Sequence, residues 1–436
     1  MATIGGLLAV VAASCSQTPA SDGNGSETTT ETDSGWSGAA LFSNRNDWEP
    51  AVATDPSAPY IYMLTTEYGG PHACKDCPQP IVMRRSTDNG QTWDPVDFLC
   101  KCKGEQWQAD PQIRTDGSGN VYATWLTTGF DIWFARSADH GETWTKPVSI
   151  IGKLPWGDHP WLTVSPAGDD VYIGFNKRDS YFSSSNDGGE TWSKPVKTNP
   201  GNDGYYFHES GVVLPDNSIA TLSTVYGCCP YNAKAHKRPI VVYVIRSQDE
   251  GKTWEQIEVD RVASPPICQA KGCPKAQYGS QGSIAADEQG NLVLIYNGGR
   301  TPHGGEQIWV RTSTDGGTNW SEARAISPAG DAIAAFPSLA GTGNADFRAM
   351  WAADQDGSQE HWNIWYSRST DGGATWSGPT DISDGTGEKY QSDEGFGFFY
   401  GDYGDIGVTN DGETIAVWGE APYYDGPGNT WYNIGK

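Results

Sequence analysis

Seven residues precede seven similar strand-like stretches and carry most of the side chains able to do chemistry: Glu49, Asp110, His159, Glu209, Gln281, Phe336 and Tyr403. Carboxylates, an imidazole and a phenol can serve as general acids and bases. Aromatic residues crowd the nearby segments, among them Trp156, Trp161, Tyr205 to Phe207 and Phe396 to Tyr400. Rings stack on the C–H faces of sugars while carboxylates and amides bind the hydroxyls, so the combination suits a glycan. The same aromatics could instead cap the strand ends. A phenol beside an imidazole, Tyr403 with His159 or His208, would also suit the proton abstraction of a carbohydrate lyase.

Eight cysteines form two local quartets, Cys74, Cys77, Cys100 and Cys102, then Cys228, Cys229, Cys268 and Cys273. Each quartet reads as two disulfides. A bridge between adjacent Cys228 and Cys229 would be strained, which favours cross-pairs to Cys268 and Cys273. A thiolate metal site is the alternative, because C-x-x-C plus C-x-C is ligand-like spacing and His72 is near. The expectation is disulfides, with no metal and no cofactor.

The elements that position these residues follow from composition and repeats. Of 436 residues, 54 are Gly and 27 Pro, and 12% are aromatic. Such a chain is rich in turns and poor in helix formers, which points to an all-β fold. The 54 acids against 29 bases give a net charge of −25. No basic stripe is available for nucleic acid or for anionic lipid. An octapeptide of pattern S-x-D-x-G-x-T-W recurs six times, at Ser86 to Trp93, Ser137 to Trp144, Ser185 to Trp192, Ser247 to Trp254, Ser313 to Trp320 and Ser369 to Trp376. Thr318-Asn319 is the one departure. The aspartates, Asp88, Asp139, Asp187, Asp249, Asp315 and Asp371, lie 51, 48, 62, 66 and 56 residues apart, the period of an array of equivalent units. Asp folds its carboxylate onto backbone N–H groups and Gly supplies a positive φ, so each octapeptide is a turn between two strands, and these aspartates are structural.

Six such turns in register resemble the Asp boxes of the sialidase-like β-propellers. Upstream of each lies an inner-strand pair, beginning near Glu49-Pro50, Asp110-Pro111, His159-Pro160, Glu209-Ser210, Gln281-Gly282, Phe336-Pro337 and Tyr403-Gly404. Seven pairs but six boxes predict seven four-stranded blades, with Ala39 to Phe42 supplying the strand missing after Thr430 to Ile434. Six blades would require one pair to be a decorating hairpin. The seven strand starts should then ring the channel mouth on the face opposite the Asp boxes.

The resemblance implies a retaining glycosidase with a Tyr nucleophile, a Glu partner, an Asp acid/base and three Arg clamping a substrate carboxylate. His208-Glu209 to Asp216 is similar to the strand carrying the catalytic Glu, and Asp402-Tyr403-Gly404-Asp405 to the strand carrying the Tyr. Arg238 and Arg300 resemble two clamp arginines, and Asp76 or Asp110 the acid. Trp48-Glu49-Pro50 stands where the family has Arg-Ile-Pro, so the first clamp Arg is replaced by an acid. Glu49, His159, Gln281, Trp161, Phe336 and Asp402 complete the expected binding set.

Ile4 to Ser14 is an apolar run ending before Cys15, and it resembles a lipoprotein signal, although no base precedes it. Residues 16–37 form a polar tether, and 38–436 a single propeller. The expected protein is exported and monomeric, lipid-anchored through Cys15 or extracellular, with a glycan or glycoconjugate as its partner; the alternative to a glycosidase is a non-catalytic propeller that binds a glycan or a protein at the same face.

Overall fold

The computed structural model describes residues 35–42, 46–69, 80–100, 107–201, 204–227, 238–267, 279–329, 332–358, 362–383, 403–420 and 429–436. These residues form seven four-stranded antiparallel sheets arranged as a β-propeller, with no helix among them. The inner strands are β2 (Asn46–Thr54), β6 (Gln108–Thr115), β10 (Asp158–Val164), β14 (Tyr205–Val213), β18 (Gly282–Ala286), β22 (Ile333–Thr342) and β26 (Asp405–Val408). A separate apolar cluster fills each blade-to-blade interface, for example Ala51, Tyr62, Leu64 and Trp125 between blades 1 and 2.

Closure is as expected. The strand β1 (Ala40–Leu41) is the outermost of blade 7 and pairs with β28 (Asn429–Gly435) through Ala40↔Tyr432 and Leu41↔Trp431. The propeller unit begins at Gly35 rather than 38: Trp36 bridges Gly435, and the Ser37 N–H donates to the Ile434 carbonyl at 2.9 Å. Phe42, 2% exposed, packs between blades 7 and 1, and Arg84 of blade 1 donates to its carbonyl at 2.7 Å. Ring closure pairs the strand edge that an open sheet would present to solvent.

The Asp boxes repeat one hydrogen-bond pattern. In blade 1 the Asp88 carboxylate accepts from the Ser86 hydroxyl (2.8 Å), the Thr92 N–H (2.8 Å) and the Thr92 hydroxyl (2.6 Å), while Ser86 Oγ accepts from the Gly90 N–H (2.8 Å). The irregular box keeps the pattern because Asn319 donates its amide to Asp315 at 2.7 Å where a Thr hydroxyl does so elsewhere. The boxes share a face with the turns between first and second strands, as the His140 N–H to Gly119 carbonyl bond shows. Hydrogen bonds from Ser185 and Thr191 hold Asp187 down at about 2. Asp187→Ala should therefore lower the melting temperature and leave any activity at the opposite face unchanged. An unchanged melt would show that the box does not hold its hairpin.

Blade 4 departs from the others. Its outer strand, β17 (Glu255–Val262), is eight residues long where the remaining box-bearing blades have two.

Candidate active site at the channel mouth

Five of the seven residues expected at the channel mouth, His159, Glu209, Gln281, Phe336 and Tyr403, line one recess, whereas Glu49 and Asp110 are not among its lining residues. In blades 1, 2, 3 and 6 the residue before proline lies on a bulge inside or at the start of the strand. The register breaks between Trp48 and Ala51, Ala109 and Gln112, Asp158 and Trp161, and Ala335 and Ser338. Glu49, Asp110, His159 and Phe336 there have φ of 59°, 50°, 50° and 52°. Non-glycine residues seldom adopt this left-handed conformation, and it persists where surrounding packing imposes it.

A recess of about 20 Å³, room for roughly one water, is lined by His159, Trp161, Glu209, Gln281, Phe336 and Tyr403, with Pro337 and Ser338. Six residues singled out in the sequence thus share one site. The His159 imidazole meets the Tyr403 ring edge-on at 5.9 Å and the Phe207 ring at 5.7 Å. Its Nδ1 is buried without a hydrogen-bond partner. Burial pushes His159 down to about 4 and neighbouring His208 to about 3, so both are neutral at pH 7. His208 is fixed by Ser180 Oγ, 2.9 Å from its Nε2.

Glu209 is 7% exposed and accepts the Thr224 hydroxyl at 2.6 Å. Burial pushes it up to about 8, against the single opposing hydrogen bond from Thr224. Blade 1 repeats the arrangement: buried Glu49 accepts the Thr66 hydroxyl (2.6 Å) and the Asp110 N–H (3.1 Å). Glu49 therefore ties blade 1 to blade 2 and does not line the recess. Asp158, beside His159, is pushed up to about 6 by burial and then by the charge of Glu49.

Arg114 and Asp405, which the sequence reading did not single out as site residues, brace the site from behind. Arg114 donates to Asp405 at 3.1 Å and lies over the Trp161 ring at 5.3 Å. Asp405 follows Tyr403 by two residues and also accepts the Val52 N–H at 3.2 Å. One guanidinium thus joins the strands that present Tyr403 and His159. Trp161 separates the recess from a cavity of about 620 Å³ that continues the channel toward the Asp-box face. Alternation along β6 could have pointed to Arg114, since it follows Gln112 by two.

The expected arginine clamp is not assembled. Arg300 pairs with Asp260 at 3.0 Å and stacks on Trp309 at 3.9 Å. Arg238 is exposed beside Gly227. Neither lines the recess, and no Lys or Arg is among its described lining residues. Asp76, Asp402 and Cys15 lie outside the described residues, as do Cys74, Cys77, Cys102, Cys228, Cys229, Cys268 and Cys273. Cys100 is disulfide-bonded, and its partner lies outside the described residues. Among the described residues no group of three His, Cys, Asp or Glu is placed to hold a metal ion.

Glu209 makes folding pH-dependent. Its folded value lies above the ordinary 4.5, so the folded state binds the extra proton between about 4.5 and 8. Stability from this group is full below about pH 4.5 and is lost as pH rises through about 8, at up to roughly 1.4 kcal/mol per pH unit. Glu209→Gln keeps an acceptor for Thr224 and cannot ionise. Urea unfolding at about pH 6 and about pH 9 should show a smaller alkaline loss in the variant. Parallel profiles would mean that Glu209 is not held protonated.

Residues 26–259 match the model of the BNR repeat-like domain. A sialidase of Bacteroides fragilis (strain YCH46) is 24% identical over 273 residues, which is 55% of this chain and 48% of the relative. The chain thus spans about half the length of the curated relative it matches. Among solved structures, a polysaccharide lyase, PL25-ulvanlyase bound to -[GlcA(1-4)Rha3S]-, shares 13% identity and a TM-score of 0.55 over 89% of this chain and 94% of its own. Hadza microbial sialidase Hz136 gives 16% identity and a TM-score of 0.47 over 89% of this chain and 65% of its own. With the family model covering more than half of its length, the chain belongs to the BNR repeat-like family, as a sialidase-like β-propeller.

Proposed function

We propose that the channel mouth is the reactive centre of a retaining glycoside hydrolase that acts on uncharged sugar residues. The observation that carries this reading is the presence of Tyr403 and Glu209 in one recess with His159, Gln281, Trp161 and Phe336. In the step envisaged, Tyr403 Oη forms a bond to the anomeric carbon as its proton passes to ionised Glu209. The glycosidic C–O bond breaks, and the leaving oxygen takes a proton from Asp110 or Asp76. Water then reverses the sequence. A carboxylate whose affinity for protons is raised toward that of a phenol is a better base for it, at the cost of a smaller ionised fraction at neutral pH.

The substrate class follows from charge. Among the described residues lining the recess, no Lys or Arg is present to pair with a sialic acid or uronate carboxylate, and the one acid there, Glu209, would repel it when ionised. The reading also carries export, a lipid on Cys15, disulfides within each cysteine quartet, and a monomer.

A second reading, polysaccharide lyase, is favoured by the neutral His159 edge-on to Tyr403. One experiment separates them. The purified chain is incubated with aryl glycosides, neutral polysaccharides, sialylated glycans and polyuronates, and the products are followed by proton NMR. Free sugar released first with its original anomeric configuration supports the hydrolase. An unsaturated uronate would establish the lyase, and no turnover of any substrate would overturn both.

A further inference from the structure

Phe130 is held in an unfavourable conformation and kept in solvent. It closes the three-residue loop between β7 (Val121–Thr127) and β8 (Asp131–Ser137), on the recess face. Gly129 and Phe130 are consecutive left-handed residues, with φ of 81° and 58°. Glycine or asparagine occupies such a position without strain, whereas a bulky ring does not. The Phe130 side chain is nonetheless 45% exposed, one of three large apolar side chains so placed among the described residues. A core role cannot account for the strain, because the ring is not in the core.

The loop is built to hold the ring in place. Trp107, at the entry to β6, meets Phe130 edge-on at 5.6 Å, and its backbone N–H donates to the Thr128 hydroxyl at 3.0 Å. The Phe130 carbonyl accepts the Gly157 N–H at 2.8 Å. Gly157 is itself buried against Phe175 and Ile132, where a Cβ would come within 2.8 and 2.9 Å of their atoms. His159 is two residues further on, so chain geometry puts Phe130 within about 14 Å of it, Cα to Cα.

We propose that Phe130, backed by Trp107, is an outer subsite that stacks a sugar ring of a glycan whose reacting unit lies at the His159–Tyr403 recess. This rests on the reading of that face as glycan-acting and extends it: the substrate is a chain of several residues. One exposed ring braced by a second matches the face of a single pyranose. It does not match a protein partner, which needs about 800 Å² of continuous surface. The other two exposed apolar side chains lie elsewhere, Leu41 on the closing strand of blade 7 and Val148 on the outer strand of blade 2.

Phe130→Gly tests this in the full-length chain, because glycine accepts the loop conformation and folding is retained. Retardation in gels containing barley β-glucan, arabinogalactan or dextran is compared for the two proteins, with melting curves and with titrations of the matching monosaccharide. The expected result is an unchanged or higher melting temperature and roughly tenfold weaker binding of the polysaccharide that retards the parent protein. Monosaccharide affinity should not change. Equal retardation of variant and parent overturns the subsite, as does a parent protein that none of the three polymers retards. Equal weakening for polymer and monosaccharide overturns it too, since the loop would then act only by shaping the recess. Failure of the hydrolase reading is seen separately, as absence of turnover with polymer binding intact.

Discussion

If Tyr403 is the nucleophile as proposed, Tyr403→Phe is expected to lower kcat on the best glycan substrate by on the order of a thousandfold or more. The ring remains, so its edge contact with His159 at 5.9 Å and the packing of the recess should persist. Substrate affinity should change by only about 1 kcal/mol, the scale of one hydrogen bond. Rapid-quench kinetics on an activated aryl glycoside should also lose the initial burst that marks a covalent intermediate. A variant retaining a tenth or more of parental kcat would remove Tyr403 from the chemistry. The lyase reading would then rest on His159, and His159→Ala would be the decisive variant.

The second large effect concerns closure of the ring. Deleting residues 35–42 removes the pairing of β1 with β28, the Trp36–Gly435 bridge and the buried Phe42 ring. Loss of a buried phenylalanine alone costs about 3–5 kcal/mol. The exposed edge of β28 adds a risk of association. Calorimetry should show a melting transition that is lower, broader and prone to aggregation. Leu41→Ala is the control: the side chain is 38% exposed, and its truncation should cost no more than about 0.5 kcal/mol. If the truncated chain melted like the parent, blade 7 would not depend on its N-terminal strand.

Much of this architecture was legible because it is written in local repeats. Ser86, Asp88, Gly90 and Thr92 make their hydrogen bonds within seven residues, so the turn could be read from the octapeptide alone. The closing strand followed from a seventh inner pair that had no box. The X-Pro dipeptides located the channel mouth, but not the left-handed backbone at Glu49, Asp110, His159 and Phe336, which depends on packing between blades. The protonated state of Glu209 was likewise hidden, since burial by other strands sets it. Alternation along β6 marks Arg114, but its partner Asp405 lies 291 positions away and is set by the ring closing. Arg300 could pass for a clamp residue only while its partner Asp260, on the long outer strand of blade 4, was out of view.

The proline-backed bulges bear on how such a protein can diversify. Four of the mouth residues share one backbone geometry although their side chains are Glu, Asp, His and Phe. One backbone geometry thus accommodates four different side chains, and each position acts as a socket with a fixed aim. At His159 and Phe336, which line the recess, exchanging the occupant of a socket alters the groups offered to a ligand, whereas Glu49 is bound into the contact between blades 1 and 2. A lineage built on this ring could change what it binds or transforms by a few point substitutions around the rim.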